Sequence, residues 1–195
     1  MSLFITLEGP DGGGKSTQAL RLVEYLRGLG LDVLMTREPG GTAIGDQIRR
    51  VLTDLGNTPM HPRTELLLFS ASRAQLCHEV IRPHLQAGGT VVSDRFYDST
   101  FAYQGYGHSL DLEALRHITT FATGGLVPDL TLLLGSYTGE YQAAVKQTPR
   151  KHGRRFSQVR TDRIVVEKWG HMRNLQGRAY APELIPSGVS IDEIK

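Results

Sequence analysis

Nine residues near the start of the chain, Gly9 to Thr17 with the sequence GPDGGGKST, combine the groups that bind phosphate. They fit the pattern G-x-x-x-x-G-K-[ST], in which backbone N–H groups surround the phosphates, the lysine reaches the outer ones and the next hydroxyl binds Mg²⁺. Lys15 is the only side-chain cation of the segment and Asp11 is an acid, so further positive charge must come from outside the segment, from other residues or from the metal. The residues predicted to bind the phosphates of a nucleoside triphosphate are Gly9, Pro10, Asp11, Gly12, Gly13, Gly14, Lys15, Ser16 and Thr17.

A second group of chemically active residues follows an apolar run further along the chain, in the sequence VVSDR. A carboxylate at the end of such a strand is the usual partner of a phosphate loop and lies near the magnesium ion, although Asp94 could instead cap the following turn. Arg95 comes directly after it and can hold a second phosphate with a bidentate fork. The sequence therefore predicts Ser16 and Asp94 as metal ligands and Arg95 as the second phosphate-binding residue.

These residues must be positioned by the strands and helices on either side of them. Apolar runs typical of buried strands are LFITLEG, LDVLMT, TVVSD and DLTLLL. Helical patterns lie between them, in KSTQALRLVEYLRGLG, TAIGDQIRRVLTDLG, PRTELLLFSASRAQLCHEVIRPHL and LDLEALRHITTFAT. Alternation of this kind predicts a parallel sheet covered on both faces, with the strand ends and the phosphate loop at one edge. We expect an α/β fold of the P-loop NTPase type, with about five parallel strands.

The pattern weakens after Leu134. The segment RTDRIVVEKWGHMRNLQGRAYAPEL is predicted to be helical, although its apolar spacing is poor and Gly170 and Gly177 interrupt it. ELIPSGVS stands where a fifth strand is expected, but Pro186 limits it to an edge strand at best. Between Lys146 and Arg163 the chain carries seven Lys or Arg residues and one acid. We found no linker in the sequence, so we expect residues 1–195 to form a single domain.

Composition limits the class of protein. A chain of 195 residues with 39% hydrophobic and 22% charged residues is ordinary for a globular domain. A net charge of +2 does not favour nucleic-acid binding by the whole chain. The one cysteine excludes an internal disulfide framework and fits a reducing compartment. The first residues carry no signal-peptide or membrane-span pattern, so we expect a cytoplasmic protein without a membrane partner.

Four segments, in their order and spacing, closely resemble bacterial thymidylate kinases: FITLEGPDGGGKSTQ, TREPGGT, LLLFSASRAQL and SDRFYDSTFAYQGYG. The resemblance covers roughly the first two-thirds of the chain and is far more specific than the phosphate loop alone. It implies transfer of the γ-phosphoryl group of ATP to dTMP with Mg²⁺, giving dTDP. It also implies a homodimer, and no stable nucleic-acid partner.

The resemblance implies roles for individual residues. Asp11 would lie near the acceptor sugar and the transfer site, Phe69 would stack on thymine and Arg73 would donate to its O4. Tyr103 would disfavour a ribose 2′-OH. The residues implied to bind the acceptor nucleotide are Asp11, Arg37, Glu38, Phe69, Arg73, Arg95, Ser99, Thr100, Tyr103 and Gln104.

The spacing of Phe69 and Arg73 agrees with this in part. Residues four apart on a helix share a face, and a ring beside a guanidinium suits a flat base with an acceptor edge. Without the resemblance, the residues alone favour a core Phe69 and a solvated surface Arg73.

Thymidylate kinases divide broadly into those with an arginine in the P-loop and those with arginines in a mobile lid. GPDGGGKST has no arginine, so this chain resembles the second kind. We predict a lid at about residues 146–165 and place Arg154 and Arg150 first among its arginines. The predicted catalytic residues are thus Asp11, Lys15, Arg95, Arg154 and Arg150. For any one lid arginine, a solvated basic surface is the simpler alternative.

Two positions depart from the family pattern. His108 stands where relatives usually carry arginine, and Gly135 where they carry an acid. Three alternatives to a dTMP kinase remain open at this point. The chain could be a nucleoside or nucleotide kinase with another base preference. It could be a nucleotide-dependent nucleic-acid-binding protein that uses the basic segment, or a folded protein that lost activity through its altered C-terminal third.

Overall fold

The computed structural model describes residues 2–134, 164–167 and 179–180. Its sheet has four parallel strands, β1 (Phe4–Glu8), β2 (Val33–Arg37), β3 (Thr90–Asp94) and β4 (Leu130–Leu133). Two antiparallel strands, β5 (Ile164–Glu167) and β6 (Ala179–Tyr180), extend the sheet beyond β4. The spatial order is β2-β3-β1-β4-β5-β6.

Helices cover both faces of the parallel strands. Helix α1 (Lys15–Gly28) buries Ala19, Val23 and Leu26 against the face that carries Ile5. Phe4 points to the opposite face, because neighbouring strand residues alternate. There it packs with the end of helix α3 (Pro62–Leu76) and with the π-helical turn that follows. The predicted α/β fold, with helices on both faces of a parallel sheet, is confirmed.

The remaining helices complete the layers around this core. Helix α2 (Ala43–Thr53) packs against α3, and the Thr42 hydroxyl caps it by accepting the Gly45 N–H. A 3₁₀ turn follows at Leu55–Asn57. Helix α3 continues through the π-helical turn Cys77–Ile81 into α4 (Arg82–Gln86). After β3 come α5 (Tyr97–Thr100), the π-helical segment Phe101–Gly107 and α6 (Leu112–Thr123).

The parallel strands bring their functional residues to one edge of the sheet. Leu7 in β1 and Arg37 in β2 both lie in register with Asp94 in β3. Glu8 therefore ends its strand beside Arg95, and Glu38 follows the neighbouring strand. This is the carboxyl edge, where open α/β sheets bind their ligands.

The prediction of a helix from Arg160 onward is wrong for the residues of this segment that the structure describes. Ile164–Glu167 forms a strand that pairs antiparallel with β4, and Ala179–Tyr180 pairs with that strand in turn. The run Ile164-Val165-Val166 is β-branched, which favours a strand when a neighbouring edge offers hydrogen bonds. The fifth strand expected in ELIPSGVS lies outside the described residues. The predicted lid also lies outside them, except where it reaches β5.

Within the described ranges, the helices are all too short or too polar to cross a membrane.

Candidate active site

The phosphate loop connects β1 directly to α1, as its sequence predicts. Gly9 has φ 137°, and a Cβ at that position would collide with the carbonyl oxygen of Leu134 at the end of β4. Gly14 lies in the left-handed region with φ 82° and begins α1 as its N-terminal cap. Position 9 therefore requires glycine, because its φ is positive and a side chain would collide with Leu134. Position 14 favours glycine because of its positive φ.

Lys15 lies within this loop and is only 7% exposed. Its Nζ donates to the carbonyl oxygen of Pro10 at 2.8 Å and is 3.9 Å from the carboxylate of Asp11. Burial, and then the positive charge of Arg95, lower the pKa of Lys15. The ammonium group is therefore held by the loop at the N-terminus of α1, where backbone N–H groups and the helix dipole also favour an anion.

Ser16 and Asp94, the predicted metal ligands, are neighbours. The Ser16 hydroxyl donates to Oδ2 of Asp94 at 2.5 Å, across 78 positions of sequence. A hydroxyl and a carboxylate beside a phosphate loop form the hard oxygen donor set that Mg²⁺ prefers. The residues present therefore fit this ion.

Arg95 follows Asp94 and has an unusual backbone, with φ 72° in the left-handed region. Its Nη1 donates to the carbonyl oxygen of Gly9 at 3.0 Å and to the hydroxyl of Ser99 at 2.8 Å. Its Nη2 donates to the carboxylate of Asp11, and the guanidinium lies 5.6 Å from the ring centre of Tyr103. A left-handed residue other than glycine costs roughly 1–3 kcal/mol and persists where its surroundings fix it.

Glu8 is a residue of this site that the sequence analysis did not identify. It is 4% exposed, at the end of β1. Its Oε1 accepts the N–H of Phe96 at 2.8 Å and its Oε2 accepts the hydroxyl of Ser99 at 2.6 Å. Burial, and then the charge of Asp98, raise the pKa of Glu8 to about 8. Its only signal in the sequence was an acid at the end of an otherwise apolar strand.

A second group of residues surrounds Arg73 on α3. Arg73 is 1% exposed, so the alternative of a solvated surface residue is wrong. Its Nε donates to Oε2 of Glu38 at 2.8 Å, and its Nη2 donates to the Thr100 hydroxyl at 2.9 Å. Burial raises the pKa of Glu38, while the Arg73 guanidinium opposes this.

Two polar atoms of this pair have no hydrogen-bond partner among the described residues. They are Nη1 of Arg73 and Oε1 of Glu38, and both are buried. An unsatisfied buried polar group costs about 1–3 kcal/mol, and more when charged. Such atoms in a site are best explained by a ligand that satisfies them.

The other predicted acceptor residues differ in their surroundings. Phe69 is half-buried and belongs to neither hydrophobic core cluster, so the alternative of a core Phe69 is not supported. Gln104 is buried, and its amide donates to Glu65 at 2.8 Å. Tyr103 is 46% exposed. The exposed Arg37 lies 3.7 Å from the carboxylate of Asp46.

The structure thus forms two groups from the predicted residues. The first surrounds the phosphate loop and contains Asp11, Lys15, Ser16, Asp94, Arg95 and Ser99. The second contains Glu38, Arg73 and Thr100. Arg150 and Arg154 lie outside the described residues.

Comparison with known proteins identifies one family. The sequence model of the family described as thymidylate kinase matches residues 7–164. A thymidylate kinase of Roseiflexus sp. (strain RS-1) is 62% identical over 134 residues, which are 69% of this chain and 59% of that protein. One of Exiguobacterium sp. (strain ATCC BAA-1283 / AT1b) is 54% identical over 131 residues, which are 67% of this chain and 62% of that protein. The chain thus spans about three-fifths of the length of these curated relatives.

A solved structure has the same fold. The crystal structure of thymidylate kinase from Ehrlichia chaffeensis superposes with a TM-score of 0.66 at 37% identity. The superposition covers 74% of this chain and 76% of the other.

Proposed function

Because the chain belongs to the thymidylate kinase family, we propose that it transfers the γ-phosphoryl group of ATP to the 5′-phosphate of dTMP, forming dTDP. One observation carries the proposal: two cations, Lys15 and Arg95, meet at one acid of the phosphate loop, Asp11. Lys15 belongs to the phosphate loop itself, whereas Arg95 approaches the same acid from the end of β3. Two cations at one point provide for a donor phosphate and an acceptor phosphate side by side.

The residues of the first group would position the two phosphates. Lys15 would exchange its contact with the Pro10 carbonyl for the outer phosphates of ATP. Arg95 would align the acceptor phosphate through Nη2, the edge of the guanidinium that contacts Asp11 in this structure. Phosphoryl transfer leaves a protein little covalent work, so positioning and charge neutralisation supply the catalysis.

Ser16 and Asp94 would hold Mg²⁺ in this proposal, since their oxygens adjoin at 2.5 Å beside the loop. A bound Mg²⁺ would neutralise charge on the ATP phosphates. Of the donor-binding residues, Gly12 and Gly13 would add backbone N–H groups, and Thr17 would follow Ser16 into the helix.

The second group would select the base. Arg73 would donate to O4 of thymine through Nη1, which no described residue accepts from, and Phe69 would stack on the ring. Glu38 would hold the guanidinium in place, because it accepts from Nε. Ser99, Thr100, Tyr103 and Gln104 would complete the pocket for the nucleoside, with Arg37 near its entrance.

Further parts of the proposal extend beyond the described residues. Residues 1–195 would form one domain, with a lid at about residues 146–165 that brings Arg150 and Arg154 to the transferring phosphoryl group. The protein would act in the cytoplasm as a homodimer, without a stable nucleic-acid partner.

A coupled assay of ADP release with and without dTMP tests the proposal. We expect release to depend on dTMP and to exceed release with dUMP, dCMP, dGMP, AMP or thymidine. Preference for another acceptor would identify a different nucleotide kinase. Acceptor-independent ATPase activity with salt-sensitive binding of DNA or RNA would contradict the proposal and favour the nucleic-acid-binding alternative.

A further inference from the structure

We propose that Glu8 is a positioning residue that fixes the guanidinium of Arg95 through the hydroxyl of Ser99. The inference deepens the proposed function, because it concerns how the acceptor phosphate is aligned, and in that respect it rests on that function. The arrangement of the three side chains is nevertheless a property of the protein without nucleotide.

The first argument is the continuous chain of contacts. Ser99 donates its hydroxyl proton to Oε2 of Glu8 at 2.6 Å. The same oxygen of Ser99 accepts from Nη1 of Arg95 at 2.8 Å. A serine hydroxyl has one proton and two lone pairs, so the acid that takes the proton leaves the lone pairs for the guanidinium. Glu8 thereby sets the direction in which Ser99 accepts.

The second argument is the other oxygen of the same carboxyl group. Oε1 of Glu8 accepts the N–H of Phe96, the residue directly after Arg95, at 2.8 Å. On the preceding side, the Arg95 N–H donates to the carbonyl oxygen of Leu7 at 2.9 Å. The strained left-handed backbone of Arg95, with φ 72°, is therefore held on both sides by the end of β1.

The third argument is the free-energy cost of burying a carboxyl group at the end of a strand. An apolar residue would fill the same space between the loop and α5 without losing hydration. Among the described residues, the charged groups that face Glu8 are Asp98 from α5, Arg95 from the end of β3 and Lys15 from α1. A residue that merely filled space would need neither of the two acceptor oxygens that Glu8 uses.

The arrangement predicts which substrate is affected. Nη1 of Arg95 is held by Ser99 and by Gly9, whereas Nη2 contacts only the 91%-exposed Asp11 among the partners described for it. The acceptor phosphate would meet the Nη2 side. Loss of the Glu8 contact should therefore weaken the acceptor and leave ATP largely unaffected.

The test compares Glu8→Gln, Ser99→Ala and the double variant in the full chain, with Thr6→Val as control. Thr6 lies on the same face of β1, is fully buried and hydrogen-bonds Thr131 instead. The carboxamide of Glu8→Gln fills the same volume but cannot accept the Ser99 proton with its NH₂ group. At a pH above the raised pKa of Glu8, about 8, the carboxylate can accept both hydrogen bonds. Under that condition we expect Glu8→Gln to raise the KM for dTMP about tenfold, with less than about a twofold change in the KM for ATP.

The double variant distinguishes positioning from general destabilisation. If Glu8 acts through the hydroxyl, Glu8→Gln has little further effect once Ser99 is alanine, and Ser99→Thr restores the wild-type KM. Additive effects of the two substitutions on the KM, or the same rise in Thr6→Val, would overturn the inference.

A spectroscopic measurement tests the arrangement without turnover. In ¹⁵N-labelled protein free of nucleotide, the side-chain N–H resonances of Arg95, assigned with Arg95→Lys, should show slow rotation about the Cζ–Nη1 bond. Glu8→Gln and Ser99→Ala should both remove this restriction, and Ser99→Thr should retain it. If the Arg95 guanidinium stays fixed in Ser99→Ala, the inference is overturned. This test remains available if Glu8→Gln does not fold. An inactive wild type with these resonance changes would instead contradict only the proposed function.

Discussion

Lys15 is the residue whose loss should affect the reaction most directly. It is 7% exposed and donates to the carbonyl oxygen of Pro10, so methionine can replace its stem with little change in packing. We predict that Lys15→Met lowers kcat by several orders of magnitude, because the ammonium no longer stabilises the transferring phosphoryl group.

ADP release measures the effect of Lys15→Met, and a melting temperature close to that of the wild type is the control for folding. Near-normal turnover by the folded variant would remove the phosphate loop from the mechanism.

Arg73 combines a structural and a selective role, and the two can be separated. Removing Arg73 alone leaves Glu38 buried and unpaired, which typically costs about 3–5 kcal/mol of stability. We predict that Arg73→Met combined with Glu38→Gln is less destabilised than Arg73→Met alone. The combined variant should still lose roughly 1–3 kcal/mol of transition-state binding for dTMP, since the donor to the base is gone.

Denaturant unfolding and the ratio of kcat/KM for dTMP and dCMP measure these two effects on Arg73. An unchanged ratio in the combined variant would mean that Arg73 only supports the fold, and that Nη1 does not meet the base.

Local spacing is enough to predict some of these residues and not others. The loop from Gly9 to Thr17 could be predicted, because its ligand contacts come from consecutive residues between one strand and one helix. The burial of Arg73 required the resemblance, since the residues alone favoured a surface arginine. Glu8 escaped prediction because its partners, Phe96 and Ser99, are brought to it only by strand pairing across the sheet.

At the scale of elements, the join between β1 and the phosphate loop depends on Gly9. Its φ of 137° is unfavourable for any side chain, and a Cβ would meet the backbone of Leu134, the residue directly after the neighbouring strand β4. Gly30 shares the positive φ, at 83°, but no atom of the described residues lies within 4 Å of a Cβ built there. We predict that Gly9→Ala destabilises the protein by several kcal/mol, whereas Gly30→Ala costs about 1 kcal/mol from backbone strain alone.

Denaturant midpoints of the two glycine variants measure this difference. Similar losses of stability in the two variants would show that the backbone after β4 moves aside. The close approach of Gly9 to Leu134 would then not contribute to the free energy of unfolding.

The predicted lid is the element that should supply the charge missing from the phosphate loop. Five arginines fall between residues 150 and 163, and a mobile element would apply their charge after both substrates are bound and water is leaving. We predict that alanine at Arg154 or Arg150 lowers kcat strongly, with a small change in dTMP affinity.

Steady-state kinetics across single alanine variants of all five arginines test this prediction about the lid. If every variant keeps nearly the wild-type kcat, the charge must come from Arg95, Arg37 or the metal alone.

The elements themselves were predictable where their burial is regular. The four parallel strands and the helices α1 to α4 and α6 match apolar runs and helical spacing that each element carries within its own sequence, whereas α5 and the π-helical segment Phe101–Gly107 were not predicted. The local pattern of β5 predicts part of a helix instead, because its few apolar residues gain their strand conformation from pairing with β4. Pairing with a distant edge is a tertiary effect that a local pattern does not contain.

At the scale of the whole molecule, the charges are concentrated rather than numerous. The small net charge of +2 does not indicate that charged side chains cluster at one edge of the sheet. The residues of this cluster are Lys15, Arg95, Asp11 and Glu8. The parallel sheet causes this concentration, since it brings the ends of β1 and β3 to the same edge. The phosphate loop therefore has a second cation already in place, and a lid would add to it rather than supply all of the missing charge.

One of these charges should couple the stability of the whole protein to pH. Burial, and then Asp98, raise the pKa of Glu8 from 4.5 to about 8 in the folded state. Between these values the folded protein binds a proton that the unfolded chain has released, so the free energy of unfolding falls as pH rises. The stabilisation by this proton is complete below the unfolded pKa and is lost as pH rises through the folded pKa.

We predict that Glu8→Gln flattens this dependence, because glutamine does not titrate. As pH rises from about 5 to about 8, the free energy of unfolding of Glu8→Gln should increase relative to that of the wild type by on the order of a few kcal/mol in total. Denaturant unfolding at several pH values measures the two curves, and Glu24→Gln, which replaces an exposed acid on α1, is the control for the loss of one carboxyl group. If Glu8→Gln runs parallel to the wild type, Glu8 is ionised throughout this range, and its contacts with Ser99 and Phe96 are then those of a charged carboxylate.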